Sequence, residues 1–177
     1  AFTKMGLVGK RAAVIGDTSP QWLATYVGAL AAGTIIVPMD KELALPEIEK
    51  FLSIVEAEAI VYSKGFNEKF VTTMESHPTL KHYIPVTPDE KIVSDRILPF
   101  SSLVEMGQAE IDNGFKVKQH ENTEEMCEML FTSGTTGTSK CVMLSQKNIF
   151  AAVSSAVDTV YFTKEDTIVS VLPVHHT

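Results

Sequence analysis

Short apolar runs alternate with longer stretches of helical spacing along the first third of the chain. Residues 12–15, Ala-Ala-Val-Ile, follow Lys10-Arg11 and precede Gly16-Asp17, the pattern of a buried parallel strand entering a turn. Ser19 then offers an N-cap with Pro20 at the first helical position. Trp22, Leu23, Tyr26, Val27, Leu30 and Ala31 recur at helical spacing as far as Gly33, a C-terminal cap. Residues 34–37 are β-branched and apolar and predict a second strand, terminated by Pro38-Met39-Asp40. Pro46 opens a second helix with Ile48, Phe51, Leu52 and Val55 on one face, and residues 59–62 form a third strand. Strand, helix, strand, helix, strand with short connections predicts an α/β fold. Its sheet is mostly parallel, with flanking helices in right-handed βαβ units.

The pattern weakens over residues 66–113, where a helix at 67–76, a strand at 82–86, a surface excursion at 87–94 and a helix at 101–111 are expected. Residues 125–132 turn apolar again and 142–144 give a brief strand. Ser145, supported by Asn148, caps a further helix whose expected buried stripe is Ile149, Ala152, Val153, Ala156 and Val160. A last strand is expected at 167–172, before Pro173-Val174-His175-His176. No repeat or linker divides residues 1–177, which read as a single α/β unit.

The 177 residues carry a formal net charge of -7 with scattered Lys and Arg, which argues against a nucleic-acid surface, so any bound anion must be held locally. No apolar run approaches a membrane span. Cys127 and Cys141 are too few for a disulfide framework and lack zinc-site spacing, so a reducing cytoplasm is expected. The chain begins without Met and stops directly after an apolar run, and both ends are read as cuts.

The chemistry concentrates in residues 132–140, Thr-Ser-Gly-Thr-Thr-Gly-Thr-Ser-Lys, with two glycines, six hydroxyls and one lysine between apolar strands. Glycines let backbone N–H groups converge on phosphate oxygens, hydroxyls add neutral donors, and lysine brings a mobile charge. Two residues separate Gly134 from Gly137, and Lys140 comes three later. This spacing fits neither the Walker A loop nor the GxGxxG fingerprint. Gly, Ser and Thr are also what flexible surface loops contain, and composition alone leaves that reading open.

The string Met-Leu-Phe-Thr-Ser-Gly-Thr-Thr-Gly-Thr-Ser-Lys, ending at Lys140, resembles the signature loop of the adenylate-forming (AMP-binding) superfamily. That superfamily includes acyl-CoA synthetases, firefly luciferase and nonribosomal peptide adenylation domains. Residues 12–40 resemble its early strand-helix-strand unit, and Leu-Pro-Val-His-His-Thr at 172–177 resembles the start of its acyl-pocket motif. Together they are most similar to long-chain fatty acyl-CoA synthetases, with the chain covering part of the N-terminal domain.

The resemblance implies an ATP-dependent acid–thiol ligase that adenylates a carboxylic acid, here a fatty acid, and passes the acyl group to coenzyme A. By that resemblance Thr132, Ser133, Gly134, Thr135, Thr136 and Gly137 wrap the β- and γ-phosphates of ATP, and Lys140 neutralises the leaving group. Thr135 also matches a position that can meet Mg²⁺, and His176 matches a residue of the acyl pocket or pantetheine channel. The Tyr-Gly-x-Thr-Glu motif, the ribose-binding Asp, the hinge and the C-terminal domain with its catalytic Lys are expected downstream. No catalytic residue is therefore assigned within the chain, and the isolated chain is expected to be inactive and to self-associate.

The resemblance further implies a cytoplasmic protein, membrane-peripheral in the intact enzyme, whose partners are ATP, a small carboxylic acid and coenzyme A. Two other readings stay open: an amino-acid adenylation domain loading a carrier protein, and a non-catalytic nucleotide- or phosphate-binding module. Ser139 and Cys141 depart from the Pro and Gly common in the family loop, and neither change removes donors. Trp22, Tyr26, His77, His82 and His120 are assigned no chemistry. Glu121, Glu124, Glu125 and Glu128 read as a solvated lead-in, and Met126, Met129 and Met143 as core fillers.

Overall fold

A computed structural model describes residues 1–117, 122–132, 139–161, 163–167, 169–170 and 172–175. β1 (Arg11–Ile15), α1 (Pro20–Ala32), β2 (Ile35–Met39), α2 (Leu45–Ile54) and β3 (Ala59–Tyr62) follow the predicted order. After a single 3₁₀ turn come α3 (Asn67–Thr73), β4 (His82–Pro85), α4 (Phe100–Asp112), β5 (Met126–Thr132), β6 (Lys140–Ser145) and α5 (Gln146–Thr159). The six strands lie in the order β4-β3-β1-β2-β5-β6. All neighbours are parallel except β6, which runs antiparallel to β5. The expected mostly parallel α/β architecture is the one observed.

Alternation along the central strands sorts side chains to two faces. Ala13, Ile15, Val37, Met39, Ile60 and Tyr62 pack on one face against Ile48, Phe51 and Leu52 of α2 and Phe70 of α3. Ala12, Val14, Ile36, Ala59, Val61 and Ile84 pack on the other against Trp22 and Ala29 of α1 and Leu103 of α4. Burial on both faces explains why β1, β2 and β3 are continuous apolar runs. The helices that follow β1 and β2 leave to opposite faces, so a crevice opens between the carboxyl ends of these strands.

Local signals place α1. The Ser19 side chain accepts from the Trp22 N–H at 3.2 Å, Pro20 opens the helix, and Gly33 closes it at φ 71°. Its buried face differs from expectation: Trp22, Thr25 and Ala29 point inward while Leu23, Val27 and Ala31 are exposed. α1 is apolar nearly all round, and the small Thr25 and Ala29 let its axis approach the sheet. β2 also runs through Pro38, which pairs with Val14. Pro38 stands beyond the single bridge to β5 at Ile36–Glu128, where a missing N–H costs least. In the weakly patterned region, the Arg96 guanidinium donates to the carbonyls of Met74, His77 and Leu80 and lies over the Tyr83 ring, tying the excursion after β4 to α3.

Three further expectations are corrected. Glu128 is not solvated: it is fully buried in β5, where the Tyr26 hydroxyl donates to its Oε2 at 2.9 Å. Tyr26, stacked on Trp22 at 5.6 Å, thereby acquires a defined role. α5 forms with the predicted Ser145–Asn148 capping box, yet none of its residues is buried, and Phe150 is 73% exposed. It follows the edge strand β6, and no other described element covers its apolar side. Residues Thr167, Val169, Ser170 and Leu172 carry no strand. Ser170 and Leu172 border a cavity with Asp40 and Lys41 at the carboxyl edge, Ile168 and Val171 lie outside the described residues, and β propensity without a pairing partner yields no strand. Among the described residues no helix is long and apolar enough to cross a membrane.

Gly16 ends β1 at φ 138°, with the position of a Cβ only 2.5 Å from Ser63 Oγ at the end of β3. Gly16→Ala is expected to destabilise the fold by about 2 kcal/mol in urea unfolding. Ser63→Gly should recover the steric part of that loss but not the part due to φ.

Candidate functional site

β5 and β6 form a hairpin in which Thr132 and Lys140 are paired directly across from each other. The glycine-rich stretch thus leaves and re-enters the sheet at one point, level with the carboxyl ends of β1, β2 and β3. Of the predicted site residues, Thr132 and Lys140 are placed, and both are exposed. Ser133, Gly134, Thr135, Thr136, Gly137 and His176 lie outside the described residues. Lys140 has no carboxylate within ion-pair distance among the described residues, so its charge is available to an incoming anion.

Two stacked rings hold the loop's first strand. Phe131 lies against Phe51 of α2 with centroids 3.8 Å apart and planes 3° from parallel, and it shares that core with Met129 and Cys141. On the opposite face Tyr26 reaches Glu128. The end of β5 is therefore fixed from both sides of the sheet, leaving Thr132 at the rim.

The crevice at the carboxyl edge contains groups that the sequence reading did not single out. A cavity of about 290 Å³ is lined by Met39, Asp40, Phe51, Thr132, Ser139 and His175, so both ends of the loop border it. A second, of about 370 Å³, lies between Gly16, Thr18, Lys41, Ser170 and Val174 and shares Asp40 and His175 with the first. His175 Nε2 is 3.6 Å from Asp40 Oδ2, which places at this edge a histidine to which the sequence assigned no role. Lys41 and Asp17 join the ends of β2 and β1 at 2.7 Å. The hydrogen bond and the charge of Asp17 hold the Lys41 ammonium above its ordinary pKa. The signal that could have found Asp40 is positional: it directly follows a parallel strand, where ligands of open α/β sheets gather.

Chemically the described edge offers the hydroxyls of Thr132 and Ser139 and the ammonium of Lys140, a donor set suited to a polyanion such as a triphosphate. It does not offer a metal cage, since no cluster of three or more His, Cys, Asp or Glu occurs among the described residues. A hard cation here would be carried mainly by phosphate oxygens.

Comparison with known proteins bears on family and fold. The model of the AMP-binding enzyme family matches residues 3–177. A long-chain-fatty-acid–CoA ligase of Mus musculus, ACSBG1, is 29% identical over 99% of this chain and 25% of its own length. A medium/long-chain-fatty-acid–[acyl-carrier-protein] ligase of Mycobacterium tuberculosis, FadD10, is 28% identical over 95% of this chain and 30% of its own. The inhibitor-bound N-terminal domain of FACL13 from Mycobacterium tuberculosis superposes with a TM-score of 0.79 at 22% identity, covering 99% of this chain and 41% of that one. The chain thus spans about a quarter to a third of the length of these two curated relatives.

The buried thiol beside Glu128 gives the hairpin a pH signature. Burial first, and then the charge of Glu128, push the Cys127 thiol up from its ordinary value near 9 to about 11. Between those values the unfolded chain releases the proton that the folded chain keeps, so stability falls as pH rises through that window. The stability advantage of wild type over Cys127→Ala should narrow from pH 8 to pH 11 in urea unfolding, and an unchanged difference would contradict the assignment.

Proposed function

Because the chain belongs to the AMP-binding enzyme family, we propose that it is the loop-bearing part of the N-terminal domain of an ATP-dependent acid–thiol ligase. On this reading a carboxylic acid, a fatty acid by preference, attacks the α-phosphorus of ATP. The new bond joins the acyl oxygen to phosphorus, the bond to the β-phosphate breaks, and pyrophosphate leaves with the charge. A thiol, that of coenzyme A, then displaces AMP from the acyl-adenylate. The observation that supports the reading is the pairing of Thr132 with Lys140 at the mouth of the hairpin, which opens the two ends of the donor-rich stretch at the carboxyl edge.

Thr132, Ser133, Gly134, Thr135, Thr136 and Gly137 are proposed to hold the β- and γ-phosphates, and Lys140 to neutralise the departing pyrophosphate. Thr135 would add one neutral oxygen to a Mg²⁺ held chiefly by the phosphates. His176 is proposed to face the acyl group. Similarity to ACSBG1 supports a fatty acid and coenzyme A, and similarity to FadD10 supports a carrier-protein thiol as the second choice of acceptor. The adenine-binding motif and the catalytic Lys expected of this family are not among the 177 residues, so the chain alone is proposed to be inactive.

In the intact ligase, Lys140→Ala should lower acid-dependent ATP–pyrophosphate exchange by about 10²–10³-fold, the effect of losing one preorganised donor to developing charge. Exchange that ignores the acid, or that survives the substitution, would overturn the reading. The 177-residue chain alone should release no acyl-dependent pyrophosphate. Robust release would refute its proposed inactivity.

A further inference from the structure

The loop-bearing hairpin shares a single register pair with the main sheet. β1 and β2 share five register pairs and β1 and β3 share four, whereas β2 and β5 share one, Ile36 with Glu128. The same residue, Glu128, is fully buried and accepts a hydrogen bond from the Tyr26 hydroxyl 102 positions earlier in the chain. A carboxyl at this point is a costly choice. Its strand neighbours are Cys127 and Met129, its cross-strand partners are Ile36 and Leu144, and an apolar side chain would fill the space without the desolvation penalty. What the carboxyl adds is direction: a hydrogen bond holds one geometry where apolar packing tolerates several.

The donor stands on a fixed reference. α1 is closed at both ends by Ser19 and Gly33, and Tyr26 is stacked on the buried Trp22. Four residues of strand, about 13 Å, separate Glu128 from Thr132. A small rotation of β5 about the Ile36–Glu128 bridge therefore moves Thr132 and its partner Lys140 together, relative to Asp40 and His175 across the crevice.

We propose that Tyr26 and Glu128 are positioning residues that lock the single register pair between the β5–β6 hairpin and the sheet, and so preset the phosphate loop for ATP. The inference rests on the ligase reading for its ligand, and on the pairing pattern and the Tyr26–Glu128 bond for its geometry. On this proposal both residues act through the strand.

The test uses the intact ligase and two readouts. In Tyr26→Phe, the KM for MgATP should rise about fivefold or more while kcat at saturation stays within about twofold, because ATP binding itself can reset a loosened loop. Amide exchange in 128–132 and 140–144 should quicken while β1 and β3 keep their protection. Glu128→Gln, which keeps an acceptor for the Tyr26 hydroxyl, should stay near wild type in both. An unchanged KM and unchanged hairpin exchange in Tyr26→Phe would overturn the proposal. So would exchange that quickens equally in all strands, the mark of general destabilisation. A wild-type protein that consumes no ATP would remove the ligase reading, and the exchange measurement alone would then uphold or overturn the lock.

Discussion

Burial of one parallel sheet on both faces governs the rest of this molecule. Where α2 and α3 cover one face of β1, β2 and β3, and α1 and α4 the other, no polar group can stand along the strands without a partner. The backbone still has to turn at the strand ends, and there N–H groups, hydroxyls and charges meet water. Gly16, Asp17, Asp40, Lys41 and Thr132 all lie at that carboxyl edge. Thr132 and Lys140, the strand residues that bound the glycine-rich stretch, open at the same edge.

β6 adds a second constraint. Because it runs antiparallel to β5, the chain leaves and re-enters the sheet between Thr132 and Lys140, and a loop of 133–139 is closed by a strand pair instead of a helix. The lysine is thereby set opposite the first hydroxyl. Phe51 against Phe131 and Tyr26 against Glu128 brace the same strand from opposite faces. Core packing on both faces of β5 thereby sets where Thr132 stands.

Much of this was legible in the sequence because the signals were local. Ser19, Pro20 and Gly33 mark α1 within its own turn chemistry, and the apolar runs at β1, β2 and β3 state their burial directly. The role of the loop residues was suggested by family resemblance, and 133–138 lie outside the described residues. What the sequence hid was long-range. Glu128 sits among acids and reads as solvated until Tyr26, 102 residues away, is brought against it. α1 is apolar on several sides, so periodicity could not tell Leu23 and Val27 from the truly buried Thr25 and Ala29. His175 shows the same limit: its approach to Asp40 depends on how residues 172–175 cross the sheet edge, which no local rule encodes. The uncovered side of α5 had the same origin: an amphipathic pattern states which face wants burial, not what covers it.

The account stands on one claim, that the segment from Thr132 to Lys140 grips the phosphates of ATP. It is tested most directly by treating the intact protein with an ATP analogue carrying a reactive acyl group on its terminal phosphate and mapping the acylated lysines. The account predicts that Lys140 is the principal site and that excess ATP protects it. Label distributed over surface lysines such as Lys4 or Lys164, with Lys140 unmodified or unprotected by ATP, would contradict it.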